Sequence, residues 1–376
     1  MPKRCLPLVL LIGILFSACV PATSTGTTPA GTTNEAPGTD TPVTPVLEEI
    51  PVYVGHGAKG SFFEIYFTDP SNPASKQQSG GIELALIASI DAARLSVDVA
   101  VYSFSLREVG NALLRARDRG VTVRVVMESD NMDRSVPEAL GEGGIRILGD
   151  RRESLMHNKF IIIDRSEVWT GSMNFTVTGA YEDNNGLIHI RSKEVAENYL
   201  TEFEEMYTRD LFGTDAIAAT PNPSVTVDDI QIETYFSPDD GVASQLLQLL
   251  QGAQESIYFL VYSFTSDPIA QVIRNQHEAG ITVAGVMDDE LIDSNDGSEF
   301  EFFLGSDLNV RRDGNQGLMH HKIIIIDRSI VVTGSYNITA SADERNDENI
   351  LIIHSPDIAE YFLSEFERIF EMALQP

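Results

Sequence analysis

The sequence has few cysteines, few basic residues and only one apolar run of notable length, at its start. Cys5 and Cys19 are the only cysteines among 376 residues, which excludes a disulfide framework or a cysteine-based metal site in the folded body. Lysine and arginine number 26 against 56 aspartates and glutamates, for a formal net charge of −30. Such a balance argues against a protein that coats DNA or RNA, because that binding depends on exposed basic residues. A local phosphate site remains compatible with it.

The N-terminus has the features of an export signal. Lys3 and Arg4 precede an apolar stretch of signal-peptide length, and small residues lead to Cys19, as in a bacterial lipobox. We therefore predict a lipoprotein signal peptide over residues 1–18, with Cys19 lipidated; the alternative is an ordinary signal peptide. Residues 19–50 are rich in Thr and Pro and predict a disordered tether. The protein would then be exported and lipid-anchored, on the outer face of the bacterial cytoplasmic membrane or in the periplasm and cell envelope.

The rest of the chain contains an internal repeat. Short segments recur at a separation of about 160 residues, which is the size of a domain rather than of a solenoid unit. The recurring pairs are Val101-Tyr102-Ser103-Phe104 with Val261-Tyr262-Ser263-Phe264, Val126-Met127 with Val286-Met287, and Leu155-Met156-His157 with Leu318-Met319-His320. The repeat predicts a first lobe over residues 51–212, a connector over 213–226 and a second lobe over 227–376.

Each half alternates between helical and strand patterns. We predict helices over 82–94, 106–119, 193–208, 242–253, 267–279 and 357–372, and strands over 96–104, 121–127, 145–148, 256–264 and 281–287. Alternation of this kind is typical of an α/β sandwich with a parallel or mixed sheet. The sequence therefore predicts an α/β protein of two tandem sandwich lobes related by a pseudo-twofold axis.

One segment is repeated more strictly than the others. In the first half His157 and Lys159 are followed by an apolar run, then Asp164, and later by Gly-Ser-Met and Asn174. The second half has the same spacing, with His320, Lys322, Asp327 and, after Gly-Ser-Tyr, Asn337. A histidine and a lysine two positions apart on a strand project from one face. Both aspartates lie at an odd offset from their histidines, so we expect them to give structural support and not to touch substrate.

These residue types suit the chemistry of a phosphodiester. Lysine supplies a positive charge and asparagine an amide donor for the non-bridging oxygens of a phosphate. Histidine serves as a nucleophile or a proton carrier near neutral pH. Two copies related by a pseudo-twofold axis would place one histidine on each side of a single phosphorus atom, so that one attacks while the other protonates the leaving oxygen.

Two copies of H-x-K-x4-D followed by G-S-x-N resemble the phospholipase D superfamily. The resemblance covers almost the whole chain after the tether, and it implies a pair of α/β lobes with the active site at their interface. It also implies a mechanism without metal or other cofactor, through a covalent phosphohistidine. Because both motifs lie in one chain, we expect activity as a monomer. The implied catalytic residues are His157, Lys159, Asn174, His320, Lys322 and Asn337.

Ungapped continuation of the repeat aligns Asn185 with Glu348. In the superfamily a polar residue here orients the active histidine, so we include both residues in the catalytic set. We expect Glu348 beside His320, raising the pKa of that histidine and suiting it to a general acid. We expect the neutral amide of Asn185 beside His157, which would then be the nucleophile; the alternative is that Asn185 caps a turn. His321 should face the other side of its strand and be structural.

The sequence indicates the chemistry more firmly than the substrate. The first hypothesis is a phospholipase D-type enzyme that hydrolyses or transfers phosphatidyl groups at a membrane surface, which a lipid anchor favours. The second is a metal-independent endonuclease with DNA or RNA as its substrate. The third is a phosphate-binding lipoprotein without activity, against which two intact motifs argue.

Overall fold

The computed structural model describes residues 47–374, and the predicted signal peptide, most of the predicted tether and the predicted lipidation site at Cys19 lie outside them. The first lobe within these residues contains nine strands: β1 (Glu48–Ile50), β2 (His56–Lys59), β3 (Phe63–Phe67), β4 (Ser96–Val101), β5 (Thr122–Met127), β6 (Arg146–Gly149), β7 (Lys159–Ile163), β8 (Glu167–Gly171) and β9 (Gly186–Ile190). Its α-helices are α1 (Glu83–Ala92), α2 (Arg107–Asp118), α3 (Ser135–Glu142), α4 (Val177–Tyr181) and α5 (Lys193–Arg209). The strands form one mixed sheet in the order β1-β2-β3-β9-β8-β7-β4-β5-β6.

The second lobe repeats this arrangement. Its strands are β10 (Ser224–Val227), β11 (Ile230–Ser237), β12 (Ser256–Val261), β13 (Thr282–Met287), β14 (Asn309–Arg312), β15 (Lys322–Ile326), β16 (Ile330–Gly334) and β17 (Glu348–His354). Its helices are α6 (Val242–Gly252), α7 (Asp267–Glu278), α8 (Asp289–Ser294), α9 (Phe300–Leu304), α10 (Ala340–Glu344) and α11 (Pro356–Met372). The sheet order is β10-β11-β17-β16-β15-β12-β13-β14. The predicted α/β class with two sandwich lobes is confirmed, and the sheets are mixed because β4 and β5 are parallel while β7 runs antiparallel to β4.

Both sheets are covered on both faces. One hydrophobic core joins the lobes, with side chains of α5 and α11 between the two sheets, including Phe203 and Phe362. Separate cores fill the outer faces, under α1 to α3 in the first lobe and under α6, α7 and α9 in the second. Strands buried on both faces are apolar along their whole length, which explains the runs Phe160 to Ile163 in β7 and Ile323 to Ile326 in β15.

The predicted helices and strands agree closely with the observed ones, because residues that favour the start or the end of an element mark their boundaries in the sequence. The long helix that closes each lobe has a serine N-cap: Ser192 Oγ accepts a hydrogen bond from the amide of Val195, and Ser355 Oγ accepts one from that of Ile358. The first sheet begins at Glu48 and the second at Ser224, each a few residues before the start predicted for its lobe. None of the helices within residues 47–374 is long and apolar enough to cross a membrane.

Candidate active site

The two lobes are joined where their motifs begin. His157 donates its backbone N–H to the carbonyl of Asp347 (3.0 Å), and His320 donates its own to the carbonyl of Asn184 (2.9 Å). Isolated parallel bridges accompany them, between Met156 and Asp347 and between Asn184 and Met319. These two backbone contacts, which we call the clips, are equivalent under the repeat. Each clip places the histidine before one lobe's motif strand beside the segment that leads into β9 or β17 of the other lobe.

Each active-site histidine is held by a side chain from the opposite lobe. His157 Nδ1 lies 2.9 and 2.8 Å from the two carboxylate oxygens of Glu348, and His320 Nδ1 lies 2.9 Å from Asn185 Oδ1. The predicted pairing of Glu348 with His320 and of Asn185 with His157 is therefore wrong. Its physical cause is the clips: they bring the start of β17 to the first motif and the start of β9 to the second, so that orienting residues are exchanged between lobes.

The orientation of Asn185 fixes the tautomer of His320. Its amide nitrogen donates to the carbonyl of Gly179 (2.8 Å), and its Oδ1 accepts from Ser172 Oγ (2.9 Å). The oxygen therefore faces His320, whose Nδ1 must carry the hydrogen. Glu348 accepts only, so Nδ1 of His157 is likewise the donor. In both rings Nε2 is left as the reactive nitrogen.

The two motif lysines are buried beneath the histidines. Lys159 Nζ donates to the carbonyl of His157 (2.6 Å), and Lys322 Nζ donates to that of His320 (2.9 Å). Tyr102 and Tyr262 flank them, with ring centroids 4.8 Å from His157 and 4.7 Å from His320. Each lysine also lies over the ring of the tyrosine in its own lobe. Sequence reasoning missed the tyrosines as site residues, although both lie within a segment that it recognised as repeated.

Burial and mutual repulsion shift the basic groups toward neutrality. Burial lowers the pKa of Lys159 to about 7, while burial and the charge of Lys159 lower that of Lys322. Burial lowers the pKa of His157 to about 4 against the opposing effect of Glu348. The pKa of His320 is lowered by burial and then by Lys322 and Lys159, so the predicted rise is also wrong. Each lysine also lowers the pKa of the histidine in the other lobe, so both motifs share one site. A bound anion would offset this repulsion among the basic groups.

The glycine and serine of each G-S-x-N segment shape the strand connection. Gly171 and Gly334 have φ of 152°, and a Cβ on either would lie 2.3 or 2.2 Å from a backbone oxygen of the neighbouring strand. Ser172 Oγ then accepts from the amide of Gly186, and Ser335 Oγ from that of Asn349, both at 3.0 Å. Asn174 and Asn337 follow in the next turn. The Oδ1 atoms of both asparagines are buried and have no hydrogen-bond partner among the described residues.

Asp164 and Asp327 lie at the far end of the motif strands. Asp164 Oδ1 accepts from the amides of Leu95 (2.6 Å) and Ser96 (3.1 Å). Asp327 Oδ1 accepts in the same way from Glu255 (2.7 Å) and Ser256 (3.0 Å). Each carboxylate therefore fixes the turn after its strand to the start of β4 or β12, and neither contacts a histidine.

The remaining histidine next to the motif faces away from the site. His321 Nε2 lies 3.0 Å from Glu365 Oε1, and its ring packs against Phe67 at a centroid distance of 5.7 Å. This is the structural position expected for a residue one step along the strand from His320. Within residues 47–374 no group of three His, Cys, Asp or Glu side chains is placed to hold a metal ion.

Comparison with known proteins identifies the family. The family model described as "Cardiolipin synthase, PLD-like domain" matches residues 86–207 and again residues 246–370. The chain belongs to this phospholipase D-like family. Each matched segment lies within one lobe, and each contains one H-x-K motif. Family membership therefore rests on both halves of the duplication.

The phospholipase D-like relatives are matched over part of their length. Mitochondrial cardiolipin hydrolase of Mus musculus is 34% identical over 128 residues, which is 34% of this chain and 58% of that protein. Phospholipase D of Rickettsia typhi is 32% identical over 135 residues, 36% of this chain and 66% of that protein. Among solved structures, phosphatidylserine synthase of Haemophilus influenzae has a TM-score of 0.59 at 13% identity, over 78% of this chain and 84% of that one. This last likeness extends the shared phospholipase D-like fold across both lobes.

Proposed function

We propose that the protein is a phosphodiesterase that cleaves the headgroup ester of phospholipids, by hydrolysis or by transfer to an alcohol. One observation carries the proposal: two H-x-K motifs meet in a buried site in which each histidine is held through Nδ1 and keeps Nε2 for reaction. The basic groups around them favour a phosphate anion over an uncharged substrate.

The proposed reaction has two steps. Nε2 of His157 attacks phosphorus, the bond from phosphorus to the headgroup oxygen breaks, and Nε2–H of His320 gives that oxygen its proton. His320 then takes a proton from water or an alcohol, whose oxygen attacks phosphorus and breaks the bond to His157. Lys159, Lys322 and the amides of Asn174 and Asn337 would bind the non-bridging oxygens.

The exchanged pairing supplies a new reason to assign attack to His157. When Nε2 forms a bond to phosphorus while Nδ1 keeps its hydrogen, the imidazole ring becomes positively charged. Glu348, at 2.8 Å from Nδ1, stabilises that charge as it develops. His320 faces the neutral oxygen of Asn185 instead. The phosphate of the substrate raises the low pKa of His320 when it enters the site, so that Nε2 takes up a proton from solvent and can then give it to the leaving group.

One comparison and one prediction from the sequence support a phospholipid as the substrate. Relatives of the matched segments bear the names phospholipase D and cardiolipin hydrolase. The proposed lipidation at Cys19 and the tether would keep the site at a membrane surface, where the local concentration of lipid is high. The net charge of −30 repels a polynucleotide and an anionic membrane alike, so charge does not decide between these two substrates.

The test measures headgroup release from phospholipid vesicles and nicking of supercoiled plasmid in parallel, both with a chelator present. We expect headgroup release that resists the chelator and is lost in His157→Asn and His320→Asn. The matched control is His277→Asn, which changes a histidine in the last turn of α7, outside the site. Plasmid nicking without lipid cleavage would assign the site to nucleic acid, and inactivity in both assays would reject the proposed chemistry.

A further inference from the structure

A second side-chain contact crosses between the lobes next to the contact of Glu348 with His157. Asn349 Nδ2 donates a hydrogen bond to Asn158 Oδ1 at 2.7 Å, and we call these two side chains the amide pair. Each member directly follows a residue of the catalytic set, Asn349 after Glu348 and Asn158 after His157. Successive side chains of an extended backbone point to opposite sides. The start of β17 is therefore attached to the first motif on both of its faces.

The side chain of Asn349 is fixed in both position and orientation. It is fully buried, as is that of Asn158. Its Oδ1 accepts hydrogen bonds from Thr170 Oγ1 (2.8 Å) and Tyr199 Oη (3.1 Å), both in the first lobe. Its Nδ2 donates to Asn158 and also to Ser335 Oγ (3.3 Å) in its own lobe. An asparagine side chain has two donor hydrogens and two acceptor positions, so all four are used, and turning the amide would break several hydrogen bonds at once.

The other half of the duplication does not repeat the amide pair. The repeat aligns Asn349 with Gly186, which has no side chain to donate a hydrogen bond. It aligns Asn158 with His321, whose Nε2 lies 3.0 Å from Glu365 Oε1 of its own lobe. A Cβ placed on Gly186 would lie 3.8 Å from His321 Nδ1, so the imidazole occupies the space beside this glycine. Of these two equivalent places, both within residues 47–374, only the one at the start of β17 has a second side-chain hydrogen bond across the interface.

This difference between the halves matches the roles proposed for the two histidines. Attack by His157 creates a positive charge on its ring, and Glu348 stabilises that charge from 2.8 Å. A charged hydrogen bond is strong but depends steeply on its geometry, so the stabilisation requires a carboxylate that stays in place. His320 contacts the neutral oxygen of Asn185, and close placement of that oxygen contributes less.

We propose that the amide pair is a positioning device for the covalent step, which holds the carboxylate of Glu348 against Nδ1 of His157. Asn349 and Asn158 are both buried, and they act through Glu348 and not on the substrate. The catalytic role of the pair rests on the proposed function, whereas its effect on the contact between Glu348 and His157 does not. Loss of the pair should slow formation of the phosphohistidine and leave the binding of substrate unchanged.

The first experiment measures single-turnover release of the leaving group from an aryl phosphodiester, as a function of concentration, in the wild type and in Asn158→Ala. This substitution removes the bond across the interface and keeps the other bonds of Asn349. We expect the rate constant to fall roughly 10- to 100-fold, since a misplacement of about 1 Å can cost a factor of about 100, with the half-saturating concentration unchanged. The matched control is Asn198→Ala, which removes a buried amide on α5 that bonds to the backbone of Asn222 and should keep both values.

A double-mutant cycle separates positioning from general support of the fold. Glu348→Ala leaves the amide pair without a carboxylate to hold. Adding Asn158→Ala to it should therefore lower the rate constant by less than about twofold, the range within which independent effects add. An equal fall with and without the Glu348 carboxylate, in variants with normal thermal unfolding curves, would overturn the proposal.

A third measurement does not require activity. The proton on Nδ1 of His157 gives a magnetic resonance signal far downfield while it is hydrogen-bonded to a carboxylate, and its loss in His157→Asn assigns it. We expect Asn158→Ala to move this signal upfield or broaden it by exchange with water, and Asn198→Ala to leave it in place. An unchanged signal in Asn158→Ala would contradict the proposal. A wild type that cleaves neither phospholipid nor plasmid contradicts the proposed function, while this signal still decides whether the amide pair positions Glu348.

Discussion

The carboxylate of Glu348, in the second lobe, lies 2.8 Å from Nδ1 of His157 in the first lobe. The corresponding contact, from Asn185 to His320, runs the other way across the interface. One histidine is thus paired with an anion and the other with a neutral amide. In the proposed mechanism, this difference within a duplicated site separates the roles of the two rings.

The first prediction concerns which histidine forms the covalent intermediate. We consider a substrate whose leaving group needs no proton. In the His320→Asn variant, His157 should still attack the phosphorus of this substrate, but the variant should fail to activate water for the second step. Labelled phosphate is therefore expected to stay bound to His320→Asn and to be absent from His157→Asn. Acid-labile label retained on the denatured protein is the measurement. Label on His157→Asn alone would assign attack to His320 and protonation to the ring beside Glu348.

The second prediction concerns the pH dependence of the reaction. Asn185→Asp places a carboxylate beside His320 and should raise the pKa of that histidine by roughly 1 to 3 units. A general acid is active below its pKa and loses activity as pH rises through it. The alkaline limb of the kcat profile should therefore move to higher pH in this variant. Glu348→Gln is the comparison, since it removes the carboxylate from His157 and should leave the alkaline limb where it was while lowering kcat.

The third prediction concerns Glu202, which is buried on α5. Burial, followed by the charges of Asp347 and Asp239, raises the pKa of Glu202 well above its ordinary value. A carboxyl whose pKa is higher in the folded than in the unfolded state destabilises the fold once pH exceeds the unfolded value, and the penalty grows up to the folded value. Glu202→Gln should therefore raise Tm at neutral pH, and about 1 kcal/mol corresponds to a rise of roughly 1–2 °C for a folded region of this size.

At about pH 4, where this carboxyl is mostly protonated in both states, the Tm of Glu202→Gln should approach that of the wild type. Glu197→Gln, at an exposed position of the same helix, controls for the loss of one negative charge. A neutral-pH gain equal in the two variants would attribute the effect to net charge and not to burial.

The fourth prediction concerns salt. Lys159 and Lys322 are buried beneath an acidic surface, so an anionic membrane is repelled at long range and its phosphates are attracted only within the site. Salt screens the long-range part first. Activity on anionic vesicles should rise between low and moderate ionic strength, while activity on zwitterionic vesicles changes little. A steep fall on anionic vesicles would indicate a basic binding surface.

Periodicity and motif spacing predicted most of the fold. The helices and strands around the motifs were within a few residues of those observed, because serine caps leave a clear signal where the long helices begin and glycines with positive φ, Gly120 and Gly280, follow α2 and α7. The two H-x-K motifs were also sufficient to predict a shared site. Within each helix, strand and motif the informative residues are close together in sequence, where backbone geometry fixes which side chains face the same way; the sharing of one site followed from the repeat and the family resemblance.

The pairing of the histidines could not be predicted in this way. Asn185 follows His157 closely in sequence, yet its side chain contacts His320, because the clips exchange strand ends between lobes. A repeat aligns equivalent positions but does not say whether equivalents interact within a half or across halves. The roles of Tyr102 and Tyr262 were missed for a related reason, since recurrence alone does not show which repeated segment borders the site.

The exchange of orienting residues has a consequence for the history and engineering of the chain. A single lobe could complete its site only by pairing with an identical copy, and both histidines would then receive the same partner. Joining the halves in one polypeptide lets positions 185 and 348 diverge independently. It follows that the first half expressed alone would carry His157 without Glu348. We therefore expect neither half alone to turn over substrate, and turnover to require at least that the two separately produced halves are mixed.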